Sequence, residues 1–201
     1  MTVNTILTTG HSNHSWDTFA RLLNQHPIDA LADVRSVPAS RFNPQFNRSS
    51  LSASLKDCGI GYYFCVRELG GRPQDPTCYE NGRVRYDRMA EAGAFRRGLA
   101  LVMAKAASHR VVLMCAEKDP LDCHRTLLVG RAPVADGIDV AHILSDGTLE
   151  PHDQAMDRLL ASYDLDTEGD MFTSRDELVA QAVERRSQRV GYLDGALDQR
   201  G

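Results

Sequence analysis

The chain has 201 residues, 42% of them hydrophobic and 25% charged, with a formal net charge of -4. That balance fits a globular chain with one well-filled core and excludes a strongly basic protein. No uncharged apolar stretch approaches the roughly 18 to 20 residues that span a bilayer, and the first seven residues have no basic segment followed by an apolar one, so a cytoplasmic protein is expected. Five cysteines at irregular spacing point to reduced thiols rather than a disulfide framework, with Cys58 and Cys65 in the core.

Residues 5–9 form a short β-branched run that ends at Gly10-His11-Ser12. Ser15 then caps a helix with Trp16, Phe19, Ala20 and Leu23 on one face. After Pro27, residues 28–34 read as a buried strand ending at Asp33-Val34-Arg35, and Pro38 with Pro44 fixes an irregular loop. A short helix over 50–58 turns Leu51, Leu55 and Cys58 inward and ends at Gly59. Residues 61–66 are a third strand. From Leu69 to Ala92, Gly70, Gly71, Pro73, Pro76 and Gly82 predict one long loop, of the kind that serves as a lid or binding segment.

The spacing of Phe95, Leu99, Val102 and Ala106 predicts a helix over 95–107, leading into a strand over 110–114 that delivers Cys115. Residues 125–136 are helical in pattern, although Pro133 must kink or end the helix. A strand over 139–144 and a helix over 156–163 complete a domain spanning 1–163. Residues 164–201 form an extension: an acidic linker over 164–170, a Ser174–Glu177 capping box, and an amphipathic helix bearing Leu178, Val179, Ala182 and Val183, with fraying from Gly191. That helix docks back on the domain, meets a partner or pairs with a second copy.

Strands alternating with helices predict a single three-layer α/β domain with a mostly parallel, Rossmann-like open sheet plus the C-terminal helical extension. Ligands of such sheets bind beyond the carboxyl ends of the strands. His11, Asp33 with Arg35, Cys115 with Glu117, and His142 all fall at or near the ends of separate predicted strands.

The richest segment is Met114 to Arg125, and three readings of it stay open. In the first, Cys115 is a nucleophile, with Glu117, His124, His11 and Asp33 in catalysis; the phosphatase-type loop is excluded, because Leu121 stands where its arginine would be. In the second, Cys115, Cys123 and His124 with a histidine from another strand end, His11 or His142, surround zinc or iron, against the expectation that adjacent Cys123 and His124 point apart. In the third, both thiols are buried packing, and Asp122 caps the helix that carries His124 and Arg125.

Charge is uneven: residues 35–97 carry eleven Arg or Lys against six Asp or Glu, and residues 145–201 carry six against thirteen. Arg35, Arg41, Arg72 and Arg125 suit phosphate or carboxylate, Asn43 and Gln45 suit a base or sugar edge, and Tyr62, Tyr63 and Tyr86 suit stacking. The ligand expected is small and anionic, nucleotide-like or a nucleic-acid component but not extended duplex, whose binding needs a basic face.

Thr9-Gly10-His11-Ser12-Asn13, Asp33-Val34-Arg35 with Pro38, Ser40 and Asn43-Pro44-Gln45-Phe46, Leu69-Gly70-Gly71-Arg72, Cys115-Ala116-Glu117 with Cys123-His124-Arg125, and His142-Ile143-Leu144 with Asp146-Gly147 occur in this order. The combination resembles the bacterial and archaeal proteins grouped as domain-of-unknown-function family 488, over about residues 5–160. The resemblance implies an α/β fold and a site built from these motifs, and it implies no reaction. Pro133 departs from the continuous helix that the resemblance leads one to expect. Two functions are compatible with the residues: a thiol- or metal-dependent hydrolase or transferase, and a non-catalytic nucleotide or nucleic-acid binding module.

Overall fold

The computed structural model describes residues 5–169 and 171–195. The strands are β1 (Ile6–Gly10), β2 (Ala30–Asp33) and β3 (Gly61–Phe64), then a separate hairpin of β4 (Tyr79–Glu80) and β5 (Arg83–Val84), then β6 (Val111–Cys115), β7 (Val140–Ile143) and β8 (Leu149–Pro151). The helices are α1 (Trp16–Asn24), α2 (Arg48–Asp57), α3 (Val66–Leu69), α4 (Tyr86–Glu91), α5 (Gly93–Ala106), α6 (Arg131–Ala135), α7 (His152–Ala161) and α8 (Arg175–Val190). One sheet runs in the order β3-β2-β6-β1-β7-β8, all parallel except the edge strand β8.

The sheet is covered on both faces, which is why β2, β6 and β7 are buried at every position. Side chains alternate across it. Val112 and Met114 of β6 pack with Phe19, Leu23, Leu51 and Leu55 from α1 and α2, whereas Val111, Leu113 and Cys115 join the core under α5, α7 and α8. The result is a single three-layer α/β domain. No helix among the described residues is long and apolar enough to cross a membrane.

The strand order creates the crevice. From β1 the chain crosses to β2 on one side, and from β6 it crosses to β7 on the other, although β1 and β6 are neighbours. Their exits therefore diverge at a topological switch point. Gly10 pairs with Cys115, and beyond that pair His11 N–H donates to the Cys115 carbonyl and Ser12 N–H to the Ala116 carbonyl, each at 2.9 Å. The two exit loops are thus laced together, at a spacing only glycine permits: a Cβ on Gly10 would lie 1.8 Å from the Glu117 carbonyl oxygen.

Several expectations are corrected. The expected loop from Leu69 to Ala92 contains the β4–β5 hairpin and α4. Asn81 and Gly82 both take positive φ, 49° and 70°, as a two-residue hairpin turn with right-handed strand twist requires. Cys58 follows α2 as its exposed C-cap, and Cys65 is only half-buried. Residues 125–136 divide into a π-helical turn over Arg125–Gly130 followed by α6, where Pro133 lacks the N–H needed to continue a regular ladder. His142 is the next-to-last residue of β7, near the strand end as expected, but it is buried within the sheet.

The C-terminal helix docks. The Ser174–Glu177 capping box forms, and α8 buries Val179, Ala182 and Val183 in the core. Beyond it the chain does not fray at Gly191: Val84 N–H donates to the Tyr192 carbonyl at 2.9 Å and Asp194 N–H to the Gly82 carbonyl at 2.7 Å, extending the hairpin. The remainder of the expected fraying segment, 196–201, lies outside the described residues.

His142 forms an internal polar chain, with Nδ1 2.8 Å from Thr8 Oγ1 and Nε2 3.2 Å from His152 Nδ1. Burial, with nearby cationic groups, holds His152 down at about 4 and lowers His142 further still, from an ordinary 6.5.

Two predictions follow from these packing constraints. Between pH 6.5 and pH 4 the unfolded chain takes up protons that these native imidazoles refuse, so stability falls as pH drops through that window. His152 alone accounts for about 3 kcal/mol of that loss. Urea midpoints taken across the window should show a smaller decline for His152→Gln than for the parent chain. Gly10→Ala should cost about 3 kcal/mol or more, because main chain must move to admit the methyl group; an unchanged urea midpoint would contradict the tight β1–β6 exit.

Candidate functional site

Cys115 is the last residue of β6 and is held by the sheet. Cys123 is delivered by a 3-10 turn, Pro120–Asp122, capped by Asp119, whose carboxylate accepts from Leu121 N–H at 2.8 Å. That turn is clamped from outside. Arg158 of α7 donates to Asp119 at 3.0 and 3.2 Å, and Arg186 of α8 donates to the Asp122 carboxylate at 2.6 Å and to the Leu121 carbonyl at 3.2 Å. Asp122 is therefore an anchor for α8, not the expected helix cap.

Cys123 is extended (φ -138°, ψ 140°) and His124 is helical (φ -59°, ψ -23°). The corner between them brings together two side chains expected to diverge. His124 Nδ1 lies 3.7 Å from the Sγ of Cys115 and 3.7 Å from that of Cys123. Its Nε2–H donates to the Val34 carbonyl at 2.9 Å, across the switch point. Gly71 leaves room for the ring, since a Cβ there would approach it to 3.1 Å.

The electrostatics of the pair are asymmetric. A hydrogen bond to the Cys123 sulfur and burial push the Cys115 thiol up. Cys123, although burial opposes it, is held well below the usual thiol range by the Cys115 S–H, Arg125 and His124. Burial also opposes charge on His124, yet the Cys123 sulfur and the Val34 carbonyl shift it upward.

Arg125 stands behind this cluster, fully buried. It donates to the Glu117 carbonyl at 2.7 Å and to the Lys118 carbonyl at 3.3 Å, while Nε has no partner. Among the described residues no carboxylate pairs with it. Its side chain supports the loop after β6 and does not line the cavity.

The opposite wall is Arg35. Its guanidinium engages both Asp33 oxygens at 2.9 and 2.6 Å, donates to the Phe46 carbonyl at 2.8 Å, and reaches His11 Nε2 at 3.2 Å. Tyr62 O–H donates to the same carboxylate at 2.8 Å. Asp33 is thus saturated and fully buried, an orienting group for Arg35. With Arg35 donating to Nε2, His11 keeps its proton on Nδ1 and gives it to the Ser12 carbonyl at 2.7 Å. Burial, with Arg35 and Arg125 nearby, lowers His11 to about 4, so the ring is neutral.

These walls enclose a cavity of about 840 Å³. Cys115, Cys123, His124 and Glu117 open onto it, as do Arg35, Arg72, His11 and Asn43. Burial and the nearby Cys123 push the Glu117 carboxyl up. Arg41 and Gln45 are not among the lining residues, and Gln45 instead donates to the His14 carbonyl at 2.7 Å. His142 is not brought to the thiols; His124 occupies that place. Of the three tyrosines expected to stack on a ligand, Tyr62 is tied to Asp33 and Tyr63 lies beneath Lys105, leaving Tyr86 on the cavity.

Sequence reasoning missed Lys118, Arg158, Arg186 and Tyr192. Lys118 and Tyr192 line the cavity, and the Arg72 guanidinium sits 4.5 Å over the Tyr192 ring. Lys118 was legible as the neighbour of Glu117. No local pattern announces the other three, which act across long stretches of chain.

Comparison with curated proteins and with solved structures gives no match. The pattern of one family, described as Domain of unknown function DUF488, matches residues 15–132, more than half of the chain. That span begins at the α1 cap and includes Asp33, Arg35, Arg72, Cys115, Cys123 and His124, and it stops before the two helices that clamp the Cys123 turn. With that span matched and its motifs gathered on one cavity, the chain belongs to the DUF488 family.

Proposed function

We propose that the chain is an enzyme, of hydrolase or transferase type, acting on a small anionic substrate in the cavity beyond the β1 and β6 ends. One observation carries this reading: the Cys115–Cys123–His124 cluster opens onto the same cavity as Arg35, Arg72 and Lys118. Reactive groups and anion-binding groups thus share one volume, at the place where open α/β sheets hold ligands. Arg35 is fixed by Asp33 and Arg72 by Tyr192 before any ligand arrives, which lowers the ordering cost of binding. Glu117 lines the same cavity, and its carboxyl, shifted upward, holds a proton more readily than an ordinary glutamate, as suits proton transfer.

Nucleotide-like anions fit the cavity's volume, and Asn43 on its wall offers amide donors and acceptors to a base or sugar. Binding of inorganic phosphate and nucleoside monophosphates, followed by calorimetry, should weaken roughly 10-fold in Arg72→Ala and in Lys118→Ala, the loss of one charge-assisted hydrogen bond. Among nucleoside monophosphates and a panel of other phosphate esters, at least one should turn over in the parent chain and not in Cys115→Ser. Unaltered anion binding in both cation variants counts against the cavity assignment; full turnover in the serine variant removes Cys115 from the chemistry, and anion binding without turnover in the parent chain leaves a binding module with structural thiols.

A further inference from the structure

We infer that Cys115, Cys123 and His124 form a three-ligand zinc site whose fourth position opens into the cavity. The inference deepens the proposed function at the same site but stands on the cluster's own geometry, whatever the substrate is.

Distances make the first argument. A tetrahedral zinc ion with Zn–S near 2.3 Å and Zn–N near 2.0 to 2.1 Å places sulfur and nitrogen about 3.6 Å apart. His124 Nδ1 is 3.7 Å from each sulfur, and the three donor atoms all lie within 4.8 Å of one another. The imidazole nitrogen has one lone pair, yet both sulfurs stand equally near it. One cation between three donors satisfies all of them.

The surroundings make the second. Ligating histidines give their other N–H to a carbonyl or carboxylate, which fixes the tautomer, and His124 does so to Val34 at 2.9 Å. The Arg125 backbone N–H points to Cys123 Sγ at 3.5 Å, as suits a sulfur carrying negative charge. Cys115 rests on a strand, and Cys123 on a turn clamped by Arg158 and Arg186, so the donors are set before a metal enters. The eight-residue separation of the cysteines, unlike that of a structural zinc loop, reflects this assembly from a strand end and a distant clamp.

Charge makes the third. Two thiolates neutralise a divalent cation. Arg125 then remains as a buried positive charge without a carboxylate among the described residues, and it favours an anion at the fourth position, either hydroxide or an oxygen of the substrate. Three protein ligands and one open position is the arrangement of catalytic rather than structural zinc.

The full-length chain purified without chelator should carry one zinc per molecule by elemental analysis. After chelator treatment, titration with cobalt(II) should give thiolate-to-cobalt charge transfer and the visible bands of a tetrahedral ion. Cys123→Ser and His124→Gln should each weaken cobalt binding by more than the roughly 10- to 100-fold that a supporting residue costs, while His142→Gln leaves it unchanged. Should the ligand variants not fold, the parent chain alone decides: zinc should protect Cys115 and Cys123 from alkylation and leave exposed Cys58 reactive. Absence of stoichiometric metal with no cobalt spectrum, or equal alkylation of the two buried thiols with and without zinc, overturns the site. An intact cobalt spectrum in a chain that binds no anion would sink the substrate reading and leave the zinc centre standing.

Discussion

The buried guanidinium of Arg125 is the constraint on which the site depends. A charged group removed from water costs several kcal/mol unless hydrogen bonds and opposite charge compensate it. Here the compensation is two main-chain carbonyls, those of Glu117 and Lys118, and the nearby Cys123 sulfur. Arg125 therefore ties the loop leaving β6 to the turn that follows Cys123, closing residues 115–125 into a ring around the two thiols. Gly10 makes room for that ring, because any side chain there would collide with the Glu117 carbonyl.

Arg35 repeats the device on the facing wall with a different partner. Asp33 grips it with both oxygens, the Phe46 carbonyl fixes its plane, and Tyr62 completes the carboxylate's hydrogen bonds. One arginine thus supports the reactive loop from behind while the other faces the cavity. The C-terminal extension holds further parts of the site. Through Arg186 of α8 it holds the turn before Cys123, and through Tyr192, two residues beyond the helix, it holds Arg72 on the cavity wall. A segment that reads in the sequence as an appended helix is a wall of the site.

The parallel sheet was legible because buried parallel strands are continuous apolar runs, as in Val111 to Met114, and α8 was legible from its capping box. The Asn81-Gly82 pair announced a hairpin that the surrounding Gly and Pro residues masked. Strand β8 has three residues and a terminal proline, too little for a periodic signal. At the site, composition marked Cys115, Arg35 and Arg72, but orientation did not follow from spacing. Whether Cys123 and His124 converge is decided by the change from extended to helical backbone between these adjacent residues. The clamps on that corner come from 39 and 64 residues away in the chain.

Three histidines near the carboxyl half of the sheet show how neighbours decide chemistry among identical side chains. His11 has both ring nitrogens engaged, one by the Ser12 carbonyl and one by Arg35, which leaves it a neutral wall. His142 is also engaged at both, by Thr8 and His152, inside β7. His124 spends Nε2 on the Val34 carbonyl and turns Nδ1 to the two sulfurs. Its free lone pair exists because Val34, at the exit of β2, presents a carbonyl across the crevice. Strand order, by placing β2 next to β6, thus selects which imidazole can act with the thiols.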